Sequence, residues 1–366
     1  MPLPPLYGHE GTRNRLVGAI ASGRLPQALL FEGPRGVGKQ RLALWLAQAL
    51  MCENPGKGAG TAPGEPCGEC RHCKLVLTLS HPDVHWFVPL EPSKRSADQD
   101  RQIEAVEEAL AEEMAARREH PLYEAASGLA IHSVGAVRLL LRRLAYRPAV
   151  GRRKVFVIGD AERLVPQPGS DTAANALLKA LEEPPPDTVL VLTSSAPEAL
   201  LPTIMSRVVR VRVAGLADSI VAVFAQRELG VSGQAELRQR VAMADGCPGR
   251  LLAEGRSGAA DGSAAGRFWQ AVEGGPVRRL AFALAQQPFQ ARGGFTGMLD
   301  GLLELLREQA RAGRETGKVV AAIARVLDAR VLAQGNVNPQ LLSAVLAADL
   351  AHAGGGGGGG GGGRGA

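Results

Sequence analysis

The sequence predicts a mostly parallel α/β sheet followed by all-helical regions. Three observations carry that expectation. Up to about Ala214, short apolar runs alternate with stretches of helical periodicity. A glycine-rich phosphate-loop pattern sits between one such run and the helical stretch after it. Beyond Ala214 the strand-like runs stop. Strands that alternate with helices join in parallel through crossovers, which lay helices over the sheet.

Ala28 to Phe31 reads as a buried strand, and so do Val84 to Val88, Val155 to Ile158 and Val189 to Leu192. Val208 to Val213 alternates with Arg210 and Arg212, so one face should be wet. Leu42, Trp45, Leu46, Ala49 and Leu50 recur at helical spacing, as do Val134, Val137, Leu141 and Leu144. Residues 54–66 are rich in Gly and Pro and read as a loop. Residues 91–120 form a charged insertion, read as a helix or flap on the sheet's edge.

These patterns divide the chain into a sheet domain over 1–214, a small helical domain over 215–256 and a second helical domain over 267–352. The last carries two apolar stripes, Leu299, Leu302, Leu303, Leu306 and then Val319, Ile323, Val326, Leu327. A Gly/Ala/Ser linker precedes it. The tail over 353–366 is dominated by glycine and is expected to be disordered, because glycine loses the most entropy on ordering and buries nothing.

Composition narrows the function classes. Apolar residues make up 45% and aromatics only 4%, so the cores must be built from Leu, Val and Ala. A net charge of +6 is compatible with phosphate contact without requiring it. The first thirty residues hold no continuous apolar leader, and no run approaches the about 20 apolar residues of a membrane span. A cytoplasmic protein is expected. Five cysteines, four of them clustered, then favour a metal site over disulfides.

Gly33, Pro34, Arg35, Gly36, Val37, Gly38 and Lys39 form the phosphate-loop pattern. Its glycines let backbone N–H groups turn toward phosphate, the helix N-terminus adds a favourable dipole, and Lys39 supplies a point charge. The next position should be Ser or Thr, whose hydroxyl holds Mg²⁺, but it is Gln40. Mg²⁺ demands near-octahedral geometry, so a displaced ligand weakens its site. The second acidic motif has the same defect: after Val155 to Ile158 the expected Asp is Gly159. Asp160 and Glu162 follow, readable as functional acids or as solvated charges at a strand end. ATP binding stays open on these grounds, whereas efficient hydrolysis by this chain is not expected.

Cys67, Cys70 and Cys73 at x-x spacing, downstream of Cys52, offer four thiolates for a tetrahedral structural Zn²⁺. A complete four-sulfur shell leaves no open position for water, so the site reads as structural. His72 is a competing ligand, but it lies between two cysteines and is expected to face solvent. Cys247 is isolated and reads as a small buried residue.

Arg207, between a helical turn and the last strand, has two readings. It closes a salt bridge inside its own domain, or it reaches the γ-phosphate of a docked neighbour. Arg142, Arg143, Arg147, Arg152, Arg153 and Lys154 likewise read as DNA-phosphate contacts or as a solvated face.

Together these motifs resemble the bacterial DNA polymerase III clamp-loader AAA+ family. The resemblance rests on the opening Gly8-His-Glu and Gly23-Arg-Leu-Pro-Gln-Ala-Leu-Leu-Phe-Glu-Gly-Pro34, and on the cysteines just after the P-loop helix. It rests also on Ala173-Ala-Asn-Ala-Leu-Leu-Lys-Ala-Leu-Glu-Glu-Pro-Pro185 and on Ser206-Arg207, where Val208 replaces the family's Cys. It covers about Leu6 to Arg250. It implies an AAA+ P-loop domain with a zinc module over about 52–73, a helical lid over 215–256 and a collar for oligomerisation over 267–352. Gln40, Gly159 and Gly246-Cys-Pro-Gly249 are similar to the delta-prime-type branch, which lacks the motor's magnesium groups and sensor arginine; Arg250 lies one position away. Ser194 and Ser195 match the sensor-1 position, although a strand-end serine is also a plain cap. The resemblance further implies that Arg207 acts as an arginine finger in trans, that the chain itself has little or no ATPase activity, and that it works within the polymerase assembly. Implied partners are gamma/tau motor and delta subunits, with the sliding clamp and primer–template DNA met through the assembly. The alternative within the family is an active motor.

Overall fold

The computed structural model describes the chain except residues 1, 59–60, 92–97, 124–129, 166–168, 255–263, 287–293, 312–315, 334–336 and 355–366. Most of the predicted linker and the glycine tail lie outside the described residues, as does part of the charged insertion. The chain divides into two compact units, one spanning 1–126 and 130–255, the other running from Arg256 onward.

The first unit is built on five parallel strands: β1 (Ala28–Glu32), β2 (Val84–Phe87), β3 (Lys154–Ile158), β4 (Thr188–Ser194) and β5 (Val209–Arg212), in the order β2-β3-β4-β1-β5. Every paired register is parallel, as the strand–helix alternation requires. β3 and β4 are buried along their whole length because helices cover both faces. β5 is an edge strand with Val209, Arg210 and Arg212 exposed, and Arg210 pairs with Glu32 of β1.

Helices α1 (Glu10–Ala21), α2 (Lys39–Met51), α3 (Arg71–Leu77), α4 (Gln99–Glu119), α5 (Val134–Leu144), α6 (Thr172–Glu182) and α7 (Pro202–Met205) complete the layers, and α8 (Asp218–Leu229), α9 (Gln234–Ala244) and α10 (Arg250–Glu254) follow. α2 is buried nearly all round, not along one stripe, because it runs through the centre of the core. α5 starts where Ser133 Oγ accepts the Ala136 N–H at 3.2 Å, a cap that satisfies an otherwise orphaned donor. The charged insertion proves to be a 21-residue helix, α4, packed on α5. It turns Ile103, Val106, Leu110 and Arg117 inward, and Glu107 reaches Arg142 at 2.8 Å and Arg143 at 2.7 Å. α8 to α10 gather a separate small core from Leu216, Val221, Phe224, Ala225, Val231, Leu237 and Leu251.

The second unit consists, among the described residues, of helices α11 (Ala264–Glu273), α12 (Pro276–Leu284), α13 (Gly294–Arg311), α14 (Thr316–Ala333) and α15 (Pro339–Gly354). The stripe Leu299, Leu302, Leu303, Leu306 is buried as expected. In α14 the buried line is Val319, Ala322, Val326, Ala329 and Ala333, and Leu327 is 42% exposed. Leu327 lies one residue past the line, about 100° around the helix, so it leaves the core.

Candidate functional site

The phosphate loop connects β1 to α2, as its sequence context requires. Gly36 (φ 82°) and Gly38 (φ 100°) take the left-handed conformations that turn the loop, and Gly38 caps α2. Lys39 is 6% exposed, and its Nζ donates to the carbonyls of Gly33 and Pro34, both at 2.8 Å. Burial lowers its pKa, opposed by Glu162 and Asp160. Val37 is fully buried, and its carbonyl accepts from His9 Nε2 at 2.9 Å. Arg35 is exposed. The Gly36 carbonyl accepts the Gly249 N–H at 2.9 Å, so the segment entering α10 lies directly on the loop.

The two departures from the magnesium pattern meet in space. Gln40 projects from the first turn of α2 toward the end of β3, where Gly159 follows Ile158. The Gln40 Oε1 accepts the indole N–H of Trp86 at 3.1 Å. Trp86 in turn stacks on the Arg117 guanidinium, 4.3 Å from its ring centroid, and Arg117 lies 4.2 Å from the ring of Tyr123. Arg117 comes from the charged insertion and is 4% exposed, with Glu113 as its ion partner at 2.8 Å. Sequence reasoning missed this stack, since Gln40 and Trp86 are 46 positions apart.

Beyond Gly159, Asp160 takes a left-handed conformation (φ 49°) and its N–H donates to Thr193 Oγ1 at 3.1 Å. Burial raises the Asp160 pKa, and Glu162 adds to it. Glu162 Oε1 accepts from the Ser195 hydroxyl at 2.8 Å and its N–H at 3.2 Å. The Glu162 carboxylate is thus held by Ser195, and both acids are partly buried. Ser194 Oγ accepts the Ala196 N–H at 3.1 Å, a strand-end cap. His132 is buried and donates from Nε2 to the Gly159 carbonyl at 2.7 Å, and burial lowers its pKa to about 4.

The four predicted cysteines come together. One sulfur from each of Cys52, Cys67, Cys70 and Cys73 lies within 4.8 Å of all the others. Cys52 ends α2 and Cys70 caps α3, so two helices fix the cluster's sides. Backbone N–H groups of Cys67 and Cys70 donate to the sulfurs of Cys52 and Cys67, each at 3.3 Å. Burial pushes the Cys67 thiol up, but the Cys70 and Glu69 N–H donors and the neighbouring thiols outweigh it and bring it to about 7, whereas burial raises the thiols of Cys52 and Cys73. Backbone N–H groups aimed at sulfur favour thiolate, the form a metal takes. These residues fit a four-sulfur metal shell. His72 does not join it and is not solvent-facing as expected. It is half-buried, with Nδ1 2.8 Å from His81 Nε2 and Nε2 3.4 Å from Glu53. Cys247 is buried, as expected.

Arg207 lies at the outer rim, between α7 and β5. Its Nε donates to Glu182 at 2.8 Å, its Nη2 donates to the same oxygen, and its Nη1 donates to the Thr203 carbonyl at 2.7 Å and Ser206 Oγ at 3.2 Å. In the isolated chain the internal salt bridge is therefore formed, on a half-exposed side chain. The basic stretch splits: Arg142 and Arg143 are held by Glu107, Lys154 is buried on the Leu144 and Tyr146 carbonyls, and Arg147, Arg152 and Arg153 are exposed. Arg250 turns back to Asp245 at 3.3 Å.

The chain is similar to known proteins. The chain is 38% identical over 183 residues to a protein of Pseudomonas aeruginosa named DNA polymerase III subunit delta', covering 50% of this chain and 42% of that one. A Bacillus subtilis protein of the same name is 33% identical over 192 residues, 52% of this chain and 43% of its own length. Escherichia coli DNA polymerase III subunit tau is 30% identical over 202 residues, 55% of this chain and 24% of its own. The chain thus spans less than half the length of these three relatives. The profile of the family described as "DNA polymerase III, delta subunit" matches residues 8–217, more than half of the chain, and takes in the P-loop, the cysteine cluster and Arg207 alike: the chain belongs to that family.

Proposed function

We propose that the chain is a delta-prime-type subunit of a bacterial sliding-clamp loader, with an AAA+ fold, that supports a neighbour's ATP hydrolysis while hydrolysing little itself. The carrying observation is the contrast between Gln40 packed against Gly159 and the intact Arg207 on the rim. The first removes both magnesium-organising groups from this chain's own loop. The second keeps a guanidinium on the outer surface for a partner's γ-phosphate.

On this reading residues 1–214 form the AAA+ domain and 215–256 the lid, which the separate core around Phe224 supports. Residues 267–352 form the collar. Exposed Val277, Leu280 and Leu284 on α12 are in keeping with a collar that buries them against other subunits. Cys52, Cys67, Cys70 and Cys73 hold a structural Zn²⁺, which pins the loop after α2. The partners are gamma/tau motor and delta subunits, with clamp and primed DNA engaged by the assembly in the cytoplasm. Among the described residues no helix is long and apolar enough to cross a membrane.

The alternative, an active motor, is supported by the likeness to tau and by the retained Lys39. Gln40 and Gly159 weigh against it. The test is co-purification with the motor subunit, followed by ATPase measurement. The pure chain should turn over little ATP, and Arg207→Ala should assemble normally yet slow the docked site by about 10³ or more. Brisk turnover by the chain alone, or an unchanged rate with Arg207→Ala, rejects the proposal.

A further inference from the structure

We infer that Glu182 is a latch for Arg207, holding the guanidinium within its own chain until a neighbour's phosphate displaces it. The inference rests on the proposed donation of Arg207 to a partner site. Arginine carries five N–H donors. Nε and Nη2 both point at Glu182 Oε1, and Nη1 serves the Thr203 carbonyl and Ser206 Oγ. A guanidinium so engaged has little capacity left for a phosphate, and the carboxylate beside it cancels much of the charge a transition state would use.

The position of Glu182 points the same way. It is the last residue of α6. A carboxylate in the last turn of a helix faces the negative end of the macrodipole, so the local backbone disfavours it there. Its compensation comes from Arg207, 25 residues away. The end of α6 is also anchored: Gln27, just before β1, donates from Nε2 to the Pro185 carbonyl at 2.7 Å and the Thr188 carbonyl at 3.0 Å. Glu182 is therefore presented to the rim from a braced helix end.

A latch must also release. The pair is half-exposed on both sides, and exposed pairs shift an equilibrium by only about threefold. A multiply charged phosphate, desolvated at a subunit interface, competes well against one such carboxylate. Glu182 is thus a positioning residue: it parks the finger without contacting nucleotide.

The test uses the loader reconstituted with motor subunits, assayed for ATP turnover without clamp or DNA. Glu182→Gln keeps the side chain's shape and removes its charge. It should raise kcat about threefold, the worth of an exposed pair, with KM for ATP unchanged. Glu182→Ala, a second variant in case the first folds poorly, should do the same. In an Arg207→Ala background the gain should vanish. An unchanged or lowered kcat, or a gain that persists without Arg207, overturns the latch. If Arg207→Ala alone leaves turnover unchanged, the donation itself fails, a result distinct from failure of the latch.

Discussion

A β-carbon on Gly159 would lie 2.7 Å from Oε1 and 2.9 Å from Nε2 of Gln40, closer than real β-carbons approach any atom. The two residues are therefore a matched pair. A side chain at 159 would have to push aside the flexible end of Gln40, and with it the amide that accepts from Trp86. Gly159→Asp alone should cost about 1 kcal/mol, mainly through the displaced Trp86 hydrogen bond. Adding Gln40→Ser should recover most of that loss. Denaturant unfolding of the two singles and the double checks it, and simple additivity would show that the residues do not oppose each other.

The cysteine cluster predicts a metal-linked stability. Cys70→Ser should lower bound zinc and the melting temperature together, by about 10 °C if several kcal/mol are lost. Chelation of the wild-type chain should act in the same direction. Metal content by mass spectrometry, read beside melting, separates a zinc shell from four plain thiols.

His132 predicts an acid-side loss of stability. Its pKa falls from 6.5 in the unfolded chain to about 4 in the fold, so the folded state favours the neutral ring. That stability is present above about pH 6.5 and is lost as pH falls toward 4, because the unfolded chain then binds the proton first. From pH 7.5 to 5 the loss from this residue is on the order of 2 kcal/mol. His132→Gln cannot titrate and should flatten the dependence by that amount. Parallel curves for variant and wild type would exclude the effect.

Arg117 predicts a link between the insertion and the phosphate loop. Arg117→Ala removes a buried guanidinium stacked on two rings and should cost about 2–4 kcal/mol. It should also shift the emission of Trp86, which Trp86→Phe identifies among the chain's three tryptophans. A spectrum unchanged by Arg117→Ala would place Trp86 under other control.

Which of these features the sequence carries depends on how local they are. The P-loop is legible because its glycines, lysine and strand–helix context are contiguous. The thiol cluster is legible because three of its members share one short knuckle. Arg207 admits two readings in the sequence, since its partner Glu182 lies on another element. Gln40 is legible as a defect, but its partners are not: Trp86 and Gly159 meet it, and Arg117 stacks on Trp86, only through the fold. The insertion's charge pattern hid its packing role, because Arg117 looks like any other surface cation in a Glu/Ala/Arg-rich run. Leu327 departs from the buried line by one step of phase, which carries a side chain about 100° around a helix.

The hydrogen bond from Gly249 to the Gly36 carbonyl has a mechanical side. A β-carbon on Gly249 would sit 2.8 Å from the Gly36 α-carbon, so the two backbones touch with no side chain between them to yield. A shift of the segment entering α10 would therefore press directly on the loop that carries Lys39. At this point the helical segment and the loop meet main chain to main chain, with no side chain to cushion the contact.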